Sequence, residues 1–162
     1  MSLTLLPGYD YPNEIRQLFS EYTQLLASGD SEFWEYLQIQ HYDDEIEHPD
    51  HKYGPPNGRL YLALWNGQAA GCAALRQINQ SECEMKRLYV RPEYQGNGIG
   101  DALVAQIIDD AHSIGYSHLK LDTFPFLTRA IGMYRNLGFY EIPKYNDSPM
   151  ASTIYMQLDL QT

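Results

Sequence analysis

The sequence is poor in positive charge, poor in cysteine and free of long apolar runs. Its 162 residues include 11 Lys and Arg against 21 Asp and Glu, which gives a formal net charge of −10. This balance argues against a nucleic-acid-binding protein, because binding phosphates requires a basic face. No stretch approaches the roughly 18 apolar residues that a membrane-spanning helix needs. Since the N-terminal stretch has neither the basic nor the apolar region of a signal peptide, we predict a cytoplasmic protein with no membrane segment.

The cysteine content excludes a disulfide framework and the common zinc motifs. Cys72 and Cys83 are the only cysteines, and they form no CxxC pair. We therefore interpret both as small residues of strands. The polar stretch from His41 to His51 contains histidines and carboxylates, but their spacing fits no compact zinc pattern. The sequence thus predicts a protein without a metal site.

The remaining composition is that of one globular domain. Hydrophobic residues make up 44% of the chain and 14 residues are Tyr, which excludes a disordered protein. A chain of this length can bury a core without covalent or metal cross-links. We predict a single domain over residues 1–162.

Apolar periodicity predicts the element order β-α-α-β-β-β-α-β-α-β-β. The strand-like runs of residues 60–65 and 69–77 flank Asn66 and Gly67, a pair typical of two-residue hairpins because both positions favour positive φ. Ser31 is expected to cap the second helix. The pattern indicates an α/β (α+β) domain whose central sheet is mixed, mainly antiparallel, and flanked by helices.

A glycine-rich segment, residues 95–100, separates a predicted strand from an amphipathic helix. The first N–H groups of a helix lack intrahelical partners and carry partial positive charge, so a pyrophosphate is a natural ligand for such a site. A P-loop is excluded because Asp101 and Ala102 follow where Lys and Ser/Thr are required. A dinucleotide-binding loop fits less well. Its pattern is GxGxxG directly after a strand, whereas the glycines here are spaced GxGxG and residues 91–95 separate them from the strand. An ordinary glycine-rich turn before a helix stays open on these residues alone.

The neighbouring residues carry a family resemblance. Residues 85–100 read MKRLYVRPEYQGNGIG, and Gln95, Gly98 and Gly100 match the pattern Arg/Gln-x-x-Gly-x-Gly/Ala. Residues 130–139 read AIGMYRNLGF, a helix with Ala, then Tyr, then Gly-Phe. In this order and separation, the two motifs closely resemble those of the GNAT superfamily of acyl-CoA-dependent N-acetyltransferases. The resemblance extends over roughly residues 60–160.

The resemblance implies how a co-substrate, acetyl-CoA, is bound. The strand before the glycine loop is expected to carry a bulge and to splay from a parallel neighbour, and the pantetheine arm pairs with the exposed strand backbone. The implied strand residues are Leu88, Tyr89 and Val90. The implied pyrophosphate-binding backbone amides are those of Gln95, Gly96, Asn97, Gly98, Ile99, Gly100 and Asp101. An Asn that many members carry three residues before Ala130 is replaced by Leu127, which makes this wall apolar.

The resemblance also implies catalytic roles for a direct attack of a primary amine on the thioester. Tyr134 matches the position that protonates the departing thiolate. Glu84 is the candidate general base and Glu82 the second choice, while an ordinary solvated or ion-paired Glu84 stays an alternative of equal weight. The backbone N–H of Val90 is the implied oxyanion donor. The identity of the amine-bearing acceptor, small molecule or protein, is not encoded in these motifs.

The resemblance places residues 41–57 beside the acceptor site. We predict an irregular loop there, whose carboxylates Asp43, Asp44 and Glu47 attract an amine electrostatically. The edge of the last strands offers a surface for a homodimer.

Two rival functions stay open. A non-catalytic acyl-CoA-binding or sensor domain keeps the glycine loop and does not need Tyr134 or Glu84. A dinucleotide-dependent oxidoreductase predicts binding of NAD instead of acetyl-CoA.

Overall fold

The computed structural model describes residues 2–29 and 32–160, in which seven strands and six α-helices form. Ser31 lies outside the described residues. The strands are β1 (Leu3–Pro7), β2 (Arg59–Trp65), β3 (Gln68–Gln77), β4 (Glu82–Val90), β5 (His118–Thr123), β6 (Tyr140–Ile142) and β7 (Ile154–Asp159). The helices are α1 (Pro12–Gly29), α2 (Phe33–Ile39), α3 (Tyr42–Glu47), α4 (Pro49–Tyr53), α5 (Ile99–Ile114) and α6 (Thr128–Asn136).

The strands form one sheet in the order β1-β2-β3-β4-β5-β7-β6. The pair β4–β5 is parallel, and the other neighbours are antiparallel. The β2–β3 hairpin turns at Asn66 and Gly67, which both have positive φ as the sequence predicted. The mixed, mainly antiparallel sheet flanked by helices is therefore confirmed.

The central parallel pair splays apart. Strands β4 and β5 pair only from Glu82–His118 to Glu84–Lys120, at the start of both strands. Beyond Glu84, the backbone of β4 has no β5 residue paired with it in the described chain. This opening leaves the β5 side of β4 without a strand partner after Glu84.

A β-bulge in β4 lies where the splay has opened. Ala74 of β3 pairs with Lys86 and Cys72 pairs with Tyr89, so β4 holds one residue more than β3 between these pairs. Arg87 is in the bulge with φ 59°. An extra residue of this kind kinks a strand and redirects its side chains.

Helices cover both faces of the sheet because their apolar stripes match its alternating side chains. On one face, Leu103 and Ile107 of α5 pack with Leu119 and Leu121 of β5. On the other, Leu18 of α1 belongs to a second cluster; its buried members also include Phe19, Tyr53, Leu60 and Leu62. The alternation along β5 places Lys120 and Asp122 on the α1 side.

The prediction of an irregular loop over residues 41–57 is wrong. The segment contains α3 and α4, and they are held from within by buried side chains. Glu45 is 1% exposed and forms an ion pair with Arg87, with Oε2 2.6 Å from Nε. Tyr53 is fully buried in the α1 cluster. The exposed carboxylates Asp43, Asp44 and Glu47 do not line the large cleft described below.

Cys72 and Cys83 lie buried in β3 and β4 with free thiols. Burial raises the pKa of both thiols. A search of the described helices finds none with the length and hydropathy needed to cross a membrane.

Candidate active site

A cleft of about 690 Å³ opens where β4 and β5 diverge. Its walls are the end of β4, the glycine loop, the first turn of α5, the end of β5 and the helix α6. Helix α1 contributes Tyr22 and Leu25 to one side. The cleft therefore exists because the parallel pair is broken after three residues.

The glycine loop has the backbone that an anion site requires. Gly96 and Gly98 have φ of +87° and +77°, which residues with a Cβ rarely adopt. Gly98 caps α5, and its carbonyl oxygen accepts from the N–H of Ala102 at 3.0 Å. The N–H groups of the first turn, from Ile99 to Asp101, then have no intrahelical acceptor and stand beside the cleft. Their arrangement suits a pyrophosphate.

Most of the sequence-predicted co-substrate residues line the cleft. The structure brings together Leu88, Tyr89, Val90, Gln95, Gly96, Gly98, Ile99, Gly100 and Asp101. Asn97 does not line it, and its side-chain amide donates to the carbonyl oxygen of Tyr94 at 2.9 Å within the turn. Leu127 lies in the wall, which is apolar there as the sequence suggested.

Tyr134 projects from α6 into the same cleft. Its ring packs on Phe139 at 5.5 Å between centroids, and the residue is 6% exposed. No described residue hydrogen-bonds to its hydroxyl. Burial raises the pKa of this phenol, so it stays protonated at neutral pH and keeps a proton to donate.

Glu84 lies outside the cleft. It is 1% exposed on β4, and its Oε1 accepts from Arg76 Nε at 2.7 Å. Its other oxygen accepts from the hydroxyl of Tyr145. Glu82 pairs with Lys120 at 2.8 Å at the start of β4, also away from the cleft. Both carboxylates thus have partners that compete with a substrate.

Two carboxylates among the described residues line the cleft, Asp101 in the first turn of α5 and Asp122 at the end of β5. Asp122 has the more elaborate set of partners. Its Oδ2 accepts from the hydroxyl of Tyr36 and from Asn146 Nδ2, the latter at 3.0 Å. Lys86 Nζ lies 3.7 Å from Oδ1. Burial by itself would raise the pKa of Asp122, but Lys86 and the two donors outweigh it and lower the pKa. Asp122 is therefore an anion at neutral pH.

The sequence comparison decides the family. The family model described as Acetyltransferase (GNAT) family matches residues 14–139, which is most of the chain. The chain belongs to the GNAT acetyltransferase family. An uncharacterized N-acetyltransferase of Schizosaccharomyces pombe is 38% identical over 150 residues, covering 91% of this chain and 88% of the relative. The protein is accordingly an N-acetyltransferase, as the motifs around Gly98 and Tyr134 predicted.

Solved structures share the fold of this GNAT protein. An acetyltransferase of GNAT family from Staphylococcus aureus Mu50 superimposes with a TM-score of 0.76, at 17% identity, over 99% of this chain and 100% of that one. The Salmonella typhimurium protein yncA, solved with its cofactor acetyl-CoA, gives a TM-score of 0.70 at 17% identity over 99% of this chain and 95% of that one.

The structure adds residues to the GNAT cleft that sequence reasoning missed. Arg129, in the first turn of α6, is the cation among the described lining residues, and Tyr22 closes the opposite side. Neither belongs to a motif, so no local signal marks them. Asp122 did leave a signal: the buried Leu119 and Leu121 force it onto the opposite face of β5, toward α1.

Proposed function

We propose that this protein transfers an acetyl group from acetyl-CoA to a primary amine, by direct attack of the amine in a ternary complex. One observation carries the proposal: a single cleft joins an anion-binding helix start, an unpaired strand backbone and a phenol with a free hydroxyl. These are the groups needed for a pyrophosphate, a pantetheine arm and a leaving thiolate.

The co-substrate is held mainly by backbone in this proposal. The backbone of Leu88, Tyr89 and Val90 pairs with the pantetheine amides, because β5 does not occupy that side of β4. The N–H groups of residues 95–101 bind the pyrophosphate, and Arg129 adds a cation at the opposite wall. Backbone donors and a helix dipole explain how a protein of net charge −10 can bind a polyanion. The protein yncA, which shares this fold, was solved with its cofactor acetyl-CoA, and this supports acetyl-CoA as the co-substrate.

The chemistry uses a proton acceptor, an oxyanion donor and a proton donor. A neutral amine attacks the thioester carbon, so that a C–N bond forms and the C–S bond breaks. The nitrogen loses its proton toward Asp122, directly or through water, and Tyr134 gives its proton to the departing sulfur. The N–H of Val90 donates to the oxyanion between these steps. Asp122 then gives its proton to solvent and Tyr134 regains one from solvent, and the products are an N-acetyl amine and CoA.

Asp122 suits the acceptor-side role better than Glu84. It lines the cleft together with Tyr134, and its Oδ1 accepts no hydrogen bond of 3.5 Å or less from the described residues. Both oxygens of Glu84 are already bonded. The lowered pKa keeps Asp122 ionised at neutral pH, so it can stabilise the developing N–H⁺ and take its proton once the C–N bond has formed.

No thiol competes for the acetyl group in this scheme. Cys72 and Cys83 are buried and line none of the cleft, and burial raises the pKa of both. A thiol held protonated is a poor nucleophile. The ternary complex is therefore favoured over an acetyl-cysteine intermediate.

The proposal is tested by titrating the protein with acetyl-CoA in a calorimeter, with NAD as control, and then assaying CoA release with a panel of primary amines. We expect micromolar acetyl-CoA binding, no NAD binding, and amine-dependent release. Tyr134→Phe should lower kcat about 100-fold and leave the acetyl-CoA Kd within about twofold. Tyr140→Phe, on the exposed strand β6, is the matched control and should change neither. Binding without release for every amine would instead indicate an acyl-CoA sensor.

A further inference from the structure

A small chamber opens off the inner end of the cleft. The two spaces share four lining residues, Tyr22, Leu88, Asp122 and Tyr134. The chamber measures about 20 Å³, enough for one water-sized group such as a carboxylate oxygen. Because Tyr134 lines both spaces, the chamber stands next to the site of acetyl transfer.

An ammonium group without a hydrogen-bond acceptor faces this chamber. The side chain of Lys86 is 4% exposed and lines the chamber, and its Nζ donates no hydrogen bond to the described residues. Its nearest anion is Asp122 Oδ1 at 3.7 Å, and the ring of Tyr36 lies 5.7 Å away. With its side chain nearly buried, the three donors of this ammonium can be met only by a molecule that enters the chamber, either water or a substrate oxygen.

Lys86 belongs to a wall of charged side chains around β4, and the other cations of this wall are already paired. Arg87 and Lys52 share Glu45, Arg76 holds Glu84, and Lys120 holds Glu82. With the pair Lys86–Asp122, five cations face four carboxylates, so the wall carries one net positive charge inside an acidic protein. Lys86 is the cation whose donors are left over.

We propose that the acceptor is an α-amino acid, whose carboxylate binds Lys86 while its amine binds Asp122 Oδ1. This inference rests on the proposed function and names its substrate class. Lys86 Nζ and Asp122 Oδ1 form two opposite charges side by side, each with free hydrogen-bonding capacity. An α-amino acid presents the complementary pair, an amine and a carboxylate separated by one carbon. Charge-assisted bonds of this kind are the strong ones, and they fix the nitrogen beside Tyr134.

The wild-type test compares acceptors that differ only at the carboxylate. L-phenylalanine is matched with L-phenylalaninamide and phenethylamine, and L-leucine with L-leucinamide and isoamylamine, with CoA release as the measurement. We expect kcat/KM to be at least 10-fold higher for an amino acid than for its amide or decarboxylated partner. The remaining proteinogenic amino acids complete the panel, so that a side-chain preference does not hide the result.

Variants of Lys86 test whether this residue causes the preference for an acceptor with a carboxylate. Lys86→Met should lower kcat/KM for the amino acid, mainly through KM, at least 10-fold more than it lowers kcat/KM for the matched carboxylate-free amine. The ratio is the readout, because Lys86 also lowers the pKa of Asp122 and its loss acts on both acceptors. Lys86→Arg should restore part of the amino-acid preference. Lys120→Met is the matched control, because Lys120 is also an ion-paired lysine of this wall but lines neither space. Circular dichroism checks that each variant is folded, and the wild-type comparison stands without them.

Three results would overturn the inference. One is a wild-type preference for amides or simple amines over amino acids. Another is an equal loss on both acceptor classes in Lys86→Met, which would make Lys86 a positioning partner of Asp122. A third is Lys86-dependent use of succinyl-CoA with carboxylate-free amines. In that case the carboxylate that binds Lys86 would belong to the acyl group and not to the acceptor. Each leaves acetyl-CoA binding and transfer intact, whereas loss of acetyl-CoA binding itself would defeat the proposed function.

Discussion

Asp122 and Glu84 are two carboxylates on the same side of the sheet that differ in what they can still bind. Glu84 has both oxygens bonded, to Arg76 and Tyr145. Asp122 has one oxygen bonded to Tyr36 and Asn146, and the other faces Lys86 across 3.7 Å. A group that acts on a substrate needs spare hydrogen-bonding capacity, so the catalytic role falls to Asp122.

Matched amide substitutions separate these two carboxylates. Asp122→Asn should lower kcat/KM about 100-fold, because the nitrogen loses its anionic partner. Glu84→Gln should leave kcat/KM within about threefold and lower the free energy of unfolding by about 1–2 kcal/mol, because the bond to Arg76 loses its charge. Steady-state kinetics and urea denaturation measure the two effects. The reverse pattern would return the proton-accepting role to Glu84.

The sequence shows some site residues and hides others for a physical reason. Gly98 and Tyr134 could be predicted because their roles depend on local backbone and on a fixed place in a helix. The roles of Lys86 and Asp122, which lie 36 positions apart in the sequence (122 − 86), depend on the gap between two strands that 27 residues separate. Such a gap depends on how the strands pack together. The alternation of buried and polar side chains along β5 therefore predicts the face on which Asp122 lies, but not what the side chain contacts.

At the scale of elements, the helix α3 is docked on the bulge of β4 through one carboxylate. Glu45 accepts from Arg87 Nε at 2.6 Å and from Lys52 Nζ at 2.9 Å. Burial would raise the pKa of Glu45, but Arg87 and Lys52 outweigh burial and lower it to about 2. The polar composition of residues 41–57 suggested an irregular loop. The sequence does not show that Glu45 is paired, because its partner Arg87 is remote in the chain.

Glu45→Gln tests how much this docking contributes. We expect the free energy of unfolding at pH 7 to fall by about 3–5 kcal/mol, because Arg87 is left buried without its anion. The folded pKa of Glu45 lies below the unfolded value, so its stabilisation is full above pH about 4.5 and is lost as the pH falls toward 2. The difference between wild type and variant in urea denaturation should therefore narrow over that range. A constant difference would contradict the ion-pair account.

The start of α5 offers a second test at this scale. Gly98→Ala should lower the free energy of unfolding by about 1–2 kcal/mol, because φ is +77° there. Gly100→Ala should leave stability unchanged or slightly higher, since the added Cβ meets only Val90 Cγ2 at 3.7 Å. Its methyl group stands in the cleft wall, and we expect it to weaken acetyl-CoA binding at least 10-fold in calorimetry.

Gly67→Ala is the control for these glycine variants. Its φ is +82° in a hairpin remote from the cleft, so it shares the strain of Gly98 but should leave acetyl-CoA affinity unchanged. A loss of affinity in Gly67→Ala would show that backbone strain remote from the cleft weakens binding, so that a loss in Gly98→Ala could not be assigned to the cleft.

At the scale of the whole molecule, charge is distributed unevenly. The net charge is −10, yet the ion pairs that Glu45, Glu82, Glu84 and Asp122 form around β4 include five cations. The fold itself was accessible from sequence, because alternating strands and amphipathic helices are local patterns. The ion pairs could not be predicted from the sequence, because each of them joins residues of two different helices or strands. Attraction of the acceptor by Asp43, Asp44 and Glu47 stays a prediction.

Because the thiols of Cys72 and Cys83 are buried, the native protein should not react with the reagent that detects the thiol of free CoA. Ellman's reagent reacts with thiolates, and both thiols are shielded within the sheet and have a raised pKa. Native protein should release no yellow chromophore over the minutes of an assay, and protein in guanidinium should release the equivalent of two thiols. Each molecule of CoA liberated can then be counted without a blank for the enzyme, and slow reaction of native protein would instead report opening of the sheet.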